Sequence, residues 1–542
     1  IVSIEGGANF TGMSLHATGT LQLERLASLL ETQVDGINGS LGLDARVTGT
    51  FAKPTYKVEL DVTNEVHIRP AGVDTTLTIQ KNGQILLSDG TLGFNGFVIA
   101  VLDDRQAQRG ALNVRGTIAL DGFKPASWGV LIDGKIAGKM LLALAPSSVA
   151  QASGLARIDG ALTLYGRGLL PQVTGTLTFD PDPEDKRRTP FSISPRGVRR
   201  EINLLGGSID ISTTRAGDHQ SYALAISDNP LTMSIDGEGK ITNVRGNFLL
   251  RDGTPQSARI DLDAENLPFK RAGELDLNIS AKDISLELPS PNSVWIARGN
   301  VSIVSGEYKR DFEIQSLRPA GQNVAPARPF WDEYPAVGNA TLDLTLDVRK
   351  FAVHNNLTPN PIELEGPRIY ISGTPRDPRL SGSIRVQRGD FKLPGTRAAF
   401  TSTTGSIDFA ENDKAANPRL DITSTALYQD LSGQQHIITL NITGTLDQPL
   451  WDLKTSTGYN KSQTLALLFL GRNPEQLRRS LGDQAAGSNP QIIETSTNPS
   501  AGFADQIVKD LAGQWVSDLL GDSLKNVLKL DVLRFEVGFG SI

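Results

Sequence analysis

The five histidines, His16, His67, His219, His354 and His436, are the side chains best able to ligate a metal or move a proton near neutral pH. Their spacing matches no ligand pattern, and no HExxH is present. Cysteine is absent, which removes thiolate metal sites, thiol catalysis and disulfides together. Gly129 to Lys135 fits the opening of a phosphate-binding loop, yet Ile136 stands where a magnesium-binding hydroxyl is needed. No GxSxG elbow occurs. Carboxylates are plentiful and any two could meet in space, so paired-acid hydrolysis stays open on sequence alone. Nothing favours it. The expectation is a protein that is not an enzyme and carries no cofactor and no metal.

The residue type that does recur with order is the aliphatic one. Leu342, Leu344, Leu346 and Val348 alternate with Asp343, Thr345 and Asp347. Leu275, Leu277 and Ile279 repeat the pattern, as do Ile438, Leu440 and Ile442, and Leu41, Leu43, Ala45 and Val47. A period of two puts such residues on one face of a strand and leaves the other face wet. This texture runs from the first residues to about 455. The net charge of −7 mixes both signs, and no basic stripe with interleaved aromatics appears, so nucleic acid is not an expected partner. No 18-residue apolar run is present to span a membrane as a helix. The first residues, IVSIEGG, read as strand, so the chain resembles a segment begun mid-architecture.

Four stretches share one layout: 43–62, 160–179, 368–389 and 440–457. Each is an alternating run, a Gly, a Pro five residues later, and a second alternating run. The pairs are Gly49 and Pro54, Gly166 and Pro171, Gly373 and Pro378, and Gly444 and Pro449. Gly tolerates the positive φ of a turn and Pro presets φ, so each copy reads as strand, turn, strand. Separations of 117, 207 and 71 residues between the glycines exclude a strict short-period solenoid.

A smaller pattern, GNVSIVSGEYKRDF at 299–312 and GSIRVQRGDFKLPG at 382–395, reads as a structural hairpin. Residues 180–200 and 318–338 are rich in Pro and charge and read as surface excursions or disordered insertions. The cluster Lys186, Arg187, Arg188, Arg196, Arg199 and Arg200 is expected to be a solvated loop rather than a headgroup site. Near the end the period changes. Ser462 opens a short helix stopped by Gly471, 474–482 follows as a second helical piece, and 483–503 reads as linker. Val508, Leu511, Trp515 and Leu519 then form a stripe at helical spacing, expected to cap one end of the sheet. Alternation returns at Leu533, Phe535 and Val537. The chain accordingly divides into a β region over 1–290, its continuation over 291–460, and a mixed segment over 461–542.

Some 450 residues of one-sided sheet must cover their apolar face by a second layer or by closure. A sandwich series, a barrel, a β-helix or a trough would each do so; a trough leaves an apolar lining suited to acyl chains. About 25 strands stacked at ~4.8 Å would run on the order of 120 Å, the scale of a bridge. The copies at 368–389 and 440–457, the pattern at 299–312 and the segment KSQTLALLFLGRNPEQL at 461–477 together resemble the C-terminal region of the TamB family, in the AsmA-like bridge-type group. The Leu467 to Arg472 ending of the helix is the most specific element, followed by Ile371 to Val386. The resemblance covers about 290–542.

That resemblance implies a long, curved, antiparallel or mixed β sheet, a taco-like trough with an apolar groove. It implies a protein of the periplasm and cell envelope of a diderm bacterium, whose parent is held in the inner membrane by an anchor this chain lacks. It also implies an outer-membrane barrel partner of the TamA or BamA type. The implied role is phospholipid transport between the membranes, assistance to outer-membrane protein assembly, or both. Under the first, Leu275, Leu277, Ile279, Leu342, Leu344, Leu346, Val348, Ile438, Leu440 and Ile442 line a groove for phospholipid or another acyl-chain ligand. The alternative is a factor whose strand edges template nascent β segments without carrying lipid. An outer-membrane barrel fits less well, because aromatics are only 6% of the chain; a β-helical adhesin ranks below it.

Overall fold

The computed structural model describes residues 2–9, 12–25, 34–71, 76–102, 108–122, 124–140, 149–181, 189–195, 200–216, 219–251, 254–271, 273–309, 338–392, 396, 398–410, 417–446 and 448–471. They are mainly β and fall into two compact units. One holds 1–263 and 287–293; the other holds 264–286 and, from 294, the remaining described chain.

The first unit contains β1 (Val2–Asn9), β2 (Gly12–Gln22), β3 (Val34–Thr50), β4 (Lys53–Pro70), β5 (Leu77–Ile79), β6 (Gln84–Ser88), β7 (Thr91–Leu102), β8 (Gln108–Asp121) and β9 (Lys124–Ala137). It continues with β10 (Val149–Ser153), β11 (Leu155–Arg167), β12 (Gln172–Thr178), β13 (Phe191–Pro195), β14 (Ile202–Gly206), β15 (Ser208–Ala216), β16 (His219–Ile235) and β17 (Glu238–Arg251). These strands form an antiparallel meander in which several ladder positions are shared by two collinear strands. Thus β14 and β15 both pair with β16, and β5 and β6 both pair with β4. The break between β14 and β15 falls at Gly207, whose φ of +103 would strain any other residue and whose added Cβ would lie 2.5 Å from Pro230 O.

The segment 180–200, expected to be an excursion throughout, returns to the sheet midway. Phe191 to Pro195 form β13, which pairs with β10 and β14. Phe191 is drawn in because its ring packs at 5.4 Å from that of Phe179 in a small buried cluster. Of the basic cluster only Arg200 is described, and it pairs with Asp236 at 2.5 Å. Lys186, Arg187, Arg188, Arg196 and Arg199 lie outside the described residues.

β18 (Thr254–Arg271) begins in the first unit and ends in the second. The second unit then has β19 (Leu275–Leu288) except its last two residues, β20 (Ile296–Tyr308), β21 (Thr341–Val353), β22 (Asn360–Thr374), β23 (Asp377–Asp390), β24 (Thr401–Phe409), β25 (Arg419–Gln429), β26 (Gln435–Thr445), β27 (Pro449–Thr455) and helix α1 (Lys461–Leu470). From β21 to β27 each strand pairs antiparallel with the next. β20 and β21 are parallel, so the pairing is mixed. Parallel neighbours need a crossover of a dozen or more residues, and the chain between Tyr308 and Thr341 supplies it. The Pro-rich stretch 318–338 belongs to that crossover, and nearly all of it lies outside the described residues.

The expected hairpins at 299–312 and 382–395 are not hairpins. β20 runs straight through Gly306, and β23 runs through Gly389. Both glycines serve close packing. A Cβ on Gly306 would sit 2.7 Å from both Leu277 Cδ2 and Phe351 Cδ2, and one on Gly389 would sit 2.5 Å from Ile362 Cα.

Alternation is strictest in β25, where Leu420, Ile422, Ser424, Ala426 and Tyr428 are buried while Arg419, Asp421, Leu427 and Gln429 are exposed. Burying an aliphatic side chain on such a face stabilises the fold by about 1.5–3 kcal/mol. α1 seals this part of the core. Asn460 caps its start, accepting from Gln463 N at 2.9 Å while Gln463 Oε1 accepts from Asn460 N. Gly471 ends it in the left-handed region at φ 73. Five consecutive residues, Thr464 to Leu468, are all buried. At 100° per residue that covers the whole circumference, so the helix is enclosed on every side.

Candidate functional site

The sequence-derived aliphatic positions of the second unit come together. Leu275, Leu277, Val348, Ile438, Leu440 and Ile442 belong to one buried cluster, and Ile279, Leu342, Leu344 and Leu346 pack against it. They do not share one environment. Ile438, Leu440 and Ile442 are 0%, 2% and 4% exposed, in the same cluster as Leu465, Leu467 and Leu468 of α1. They form a dry core filled by protein.

Leu342, Leu344 and Leu346 on β21 are only half-buried. The register accounts for two of the three. Leu344 stands between Gly299 of β20 and Ile371 of β22, and Leu342 stands opposite Gly373. A glycine neighbour offers no side chain to cover the adjacent leucine. Gly299 cannot easily be replaced: its φ is +135, and a Cβ there would lie 2.6 Å from Asp283 O. The result is an apolar strip with a glycine on one side of Leu342 and of Leu344 and with Val301 and Ile369 beside Leu346, deepening at Val348 and Phe351, which are 5% and 6% exposed. The first unit carries comparable residues. Leu41, Leu43, Ala45 and Val47 of β3 are likewise half-buried.

The opposite face is polar and its charges are screened. Arg298 meets Asp343 at 3.6 Å and Arg349 meets Asp347 at 3.2 Å, all substantially exposed. Such pairs contribute little. Glu363 is held below the usual carboxylate range because Arg388 donates two hydrogen bonds to it at 2.8 Å. Glu307 is lowered in the same sense, chiefly by Lys309 and secondarily by His354. Among the described residues no group of His, Asp and Glu could hold a metal ion.

The repeated turn is a built feature. Gly49 pairs with Pro54, Gly373 with Pro378, and Gly444 with Pro449 directly across their ladders. Sequence reading missed the Thr that follows the Gly in these three copies. Thr50, Thr374 and Thr445 each accept, through Oγ1, the backbone N–H of the residue before the proline, at 3.2, 3.2 and 3.3 Å. The shared Gly-Thr was the available signal. Gly166 and Pro171 depart from this scheme: Arg167 replaces the Thr, and Gly166 pairs with Trp128 of β9. Val508, Leu511, Trp515 and Leu519 lie outside the described residues.

Fold and site thus define a mainly β protein with mixed strand pairing, whose most distinctive surface is a half-buried aliphatic strip. A family model described as the TamB C-terminal domain matches residues 228–540, more than half of the chain, and the chain belongs to that family. Membership places it in the bacterial cell envelope. No curated protein and no solved structure matches it. None of the described helices is long and apolar enough to cross a membrane.

Proposed function

We propose that this chain is a non-enzymatic, periplasmic part of the envelope machinery that offers an apolar β surface to the acyl chains of phospholipid moving between the inner and outer membranes. One observation carries the reading: Leu342, Leu344 and Leu346 form a half-buried apolar strip, and two of them, Leu344 beside Gly299 and Leu342 opposite Gly373, have a glycine on one side in place of a covering side chain. Apolar surface left partly open in this way suits a ligand that needs burial but no chemistry. The proposed partners are phospholipid, an outer-membrane barrel protein of the TamA or BamA type, and the inner membrane through an anchor on the parent protein.

The test is phospholipid recovered with the purified chain, quantified by mass spectrometry. Leu344→Asp places a charge on the strip, and Asn300→Asp places one on an exposed position of neighbouring β20. Lipid is expected to fall severalfold with the first and to stay at the parent level with the second, while both variants melt cooperatively. Equal lipid in Leu344→Asp and parent would overturn the conduit. It would favour the alternative, strand addition to nascent β proteins.

A further inference from the structure

The hairpin joining β25 to β26 has a surface unlike the rest of the second unit. Leu427 and Ile437 are directly opposite each other on its outer face, at 65% and 52% exposure. Leu431, in the connecting loop, is 64% exposed. Three large aliphatic side chains are therefore displayed at one strand end.

Charge is missing from the same place. With 21% of the chain charged, a fifteen-residue stretch would carry about three such groups. Between Thr425 and Thr439 there are only Asp430 and His436, and both are turned inward. Asp430 Oδ2 meets His436 Nε2 at 3.3 Å, and Thr457 Oγ1 lies 3.2 Å from His436 Nδ1. The exposed remainder is Gln429, Ser432, Gly433, Gln434 and Gln435.

Four of the loop's amides are also bonded from within. Asp430 Oδ1 accepts from Ser432 N, Ser432 Oγ and Gln434 N at 2.8, 2.5 and 3.0 Å. Asp430 N donates to Gln434 O, and Gly433 N donates to Asp430 O, each at 3.0 Å. A docked protein could supply partners for loose amides; hydrocarbon cannot, so amides bonded in advance suit a lipid environment. On the neighbouring strand β27, Lys454 pairs across from Thr439 and is 71% exposed, with Asp452 at 3.8 Å.

We propose that the β25–β26 hairpin tip is a membrane-contact site, inserting Leu431, with Leu427 and Ile437, into the interfacial layer of a phospholipid bilayer. The polar amides of its glutamines would remain at headgroup level.

The chain's lack of cysteine makes the test clean. Leu431→Cys and, in the turn between β26 and β27 at the opposite strand ends, Gln448→Cys are each labelled with an environment-sensitive nitrobenzoxadiazole dye. The full chain is mixed with vesicles of phosphatidylethanolamine and phosphatidylglycerol. The dye at 431 is expected to shift to the blue and to be quenched by doxyl-labelled lipid, while the dye at 448 stays aqueous. Unlabelled Leu431→Asp should partition at least tenfold more weakly with unchanged melting and unchanged copurifying lipid. An aqueous dye at 431, or parent-like partitioning of Leu431→Asp, overturns the site. So does a blue shift that depends on protein concentration without vesicles, which would make the tip a contact between copies.

Discussion

Gly373 and Pro378 face each other across the ladder of β22 and β23, and the chain turns back in the residues between them. Proline has no N–H to donate and glycine supplies a φ of +83, so together they end a ladder and set its twist. In an antiparallel meander successive turns alternate between the two edges. By that count the β3–β4 and β11–β12 corners share one edge of the first unit. The β22–β23 and β26–β27 corners likewise share one edge of the second.

Replacing Gly373 with Ala should destabilise the second unit by about 1–3 kcal/mol. The new Cβ would meet Asp377 O at 2.5 Å in a backbone region that L residues avoid. Gly166→Ala should cost less, since its nearest contact is the flexible side chain of Gln172 at 3.3 Å. Chemical denaturation of the two variants checks the order.

Asp430→Ala should be costly although the residue sits in a loop. It strips acceptors from Ser432 N and Gln434 N and leaves the His436 ring, 0% exposed, without its carboxylate. A loss of about 2–3 kcal/mol is expected for buried groups left unpaired. Thermal melting measures it.

The enclosed helix is the next prediction. Leu467 is 0% exposed, so Leu467→Ala should cost about 2–5 kcal/mol through lost burial and a residual cavity. Asn460→Ala removes only the cap and should cost about 1 kcal/mol. Urea midpoints of the two variants separate these values.

Glu363 gives a prediction with a definite sign in pH. Arg388 lowers its folded pKa, so the contribution is fully present above the ordinary glutamate range and is lost as pH falls through the lowered folded value. Arg388→Gln should be less stable than the parent near neutrality, and the gap should close in acid. Because both groups are exposed, high salt should narrow it too. Urea midpoints at neutral and acidic pH, with and without salt, test all three statements.

Much of this molecule is local and was open to sequence reading. Leu342, Leu344 and Leu346 must share a strand face because the side-chain period is two. Gly471 ends α1 as expected because it takes the left-handed conformation its helix end needs, while the cap at the start is Asn460 and not the expected Ser462. The apolar character of the candidate surface follows from the same alternation.

Neighbours were not open to it. Nothing in the alternation of β20 says that its partner β21 runs parallel, across a long crossover, because a strand's periodicity carries no direction for the strand beside it. Gly306 and Gly389 read as turns until Phe351 and Ile362 were found against them. Ile442 and Leu344 are equivalent in pattern, yet one lies in a core shared with α1 and the other has Gly299 for a neighbour. The sequence by itself determined which residues are apolar and on which face they stand. Only the tertiary structure decided which of them are covered, because cover comes from residues distant in the chain.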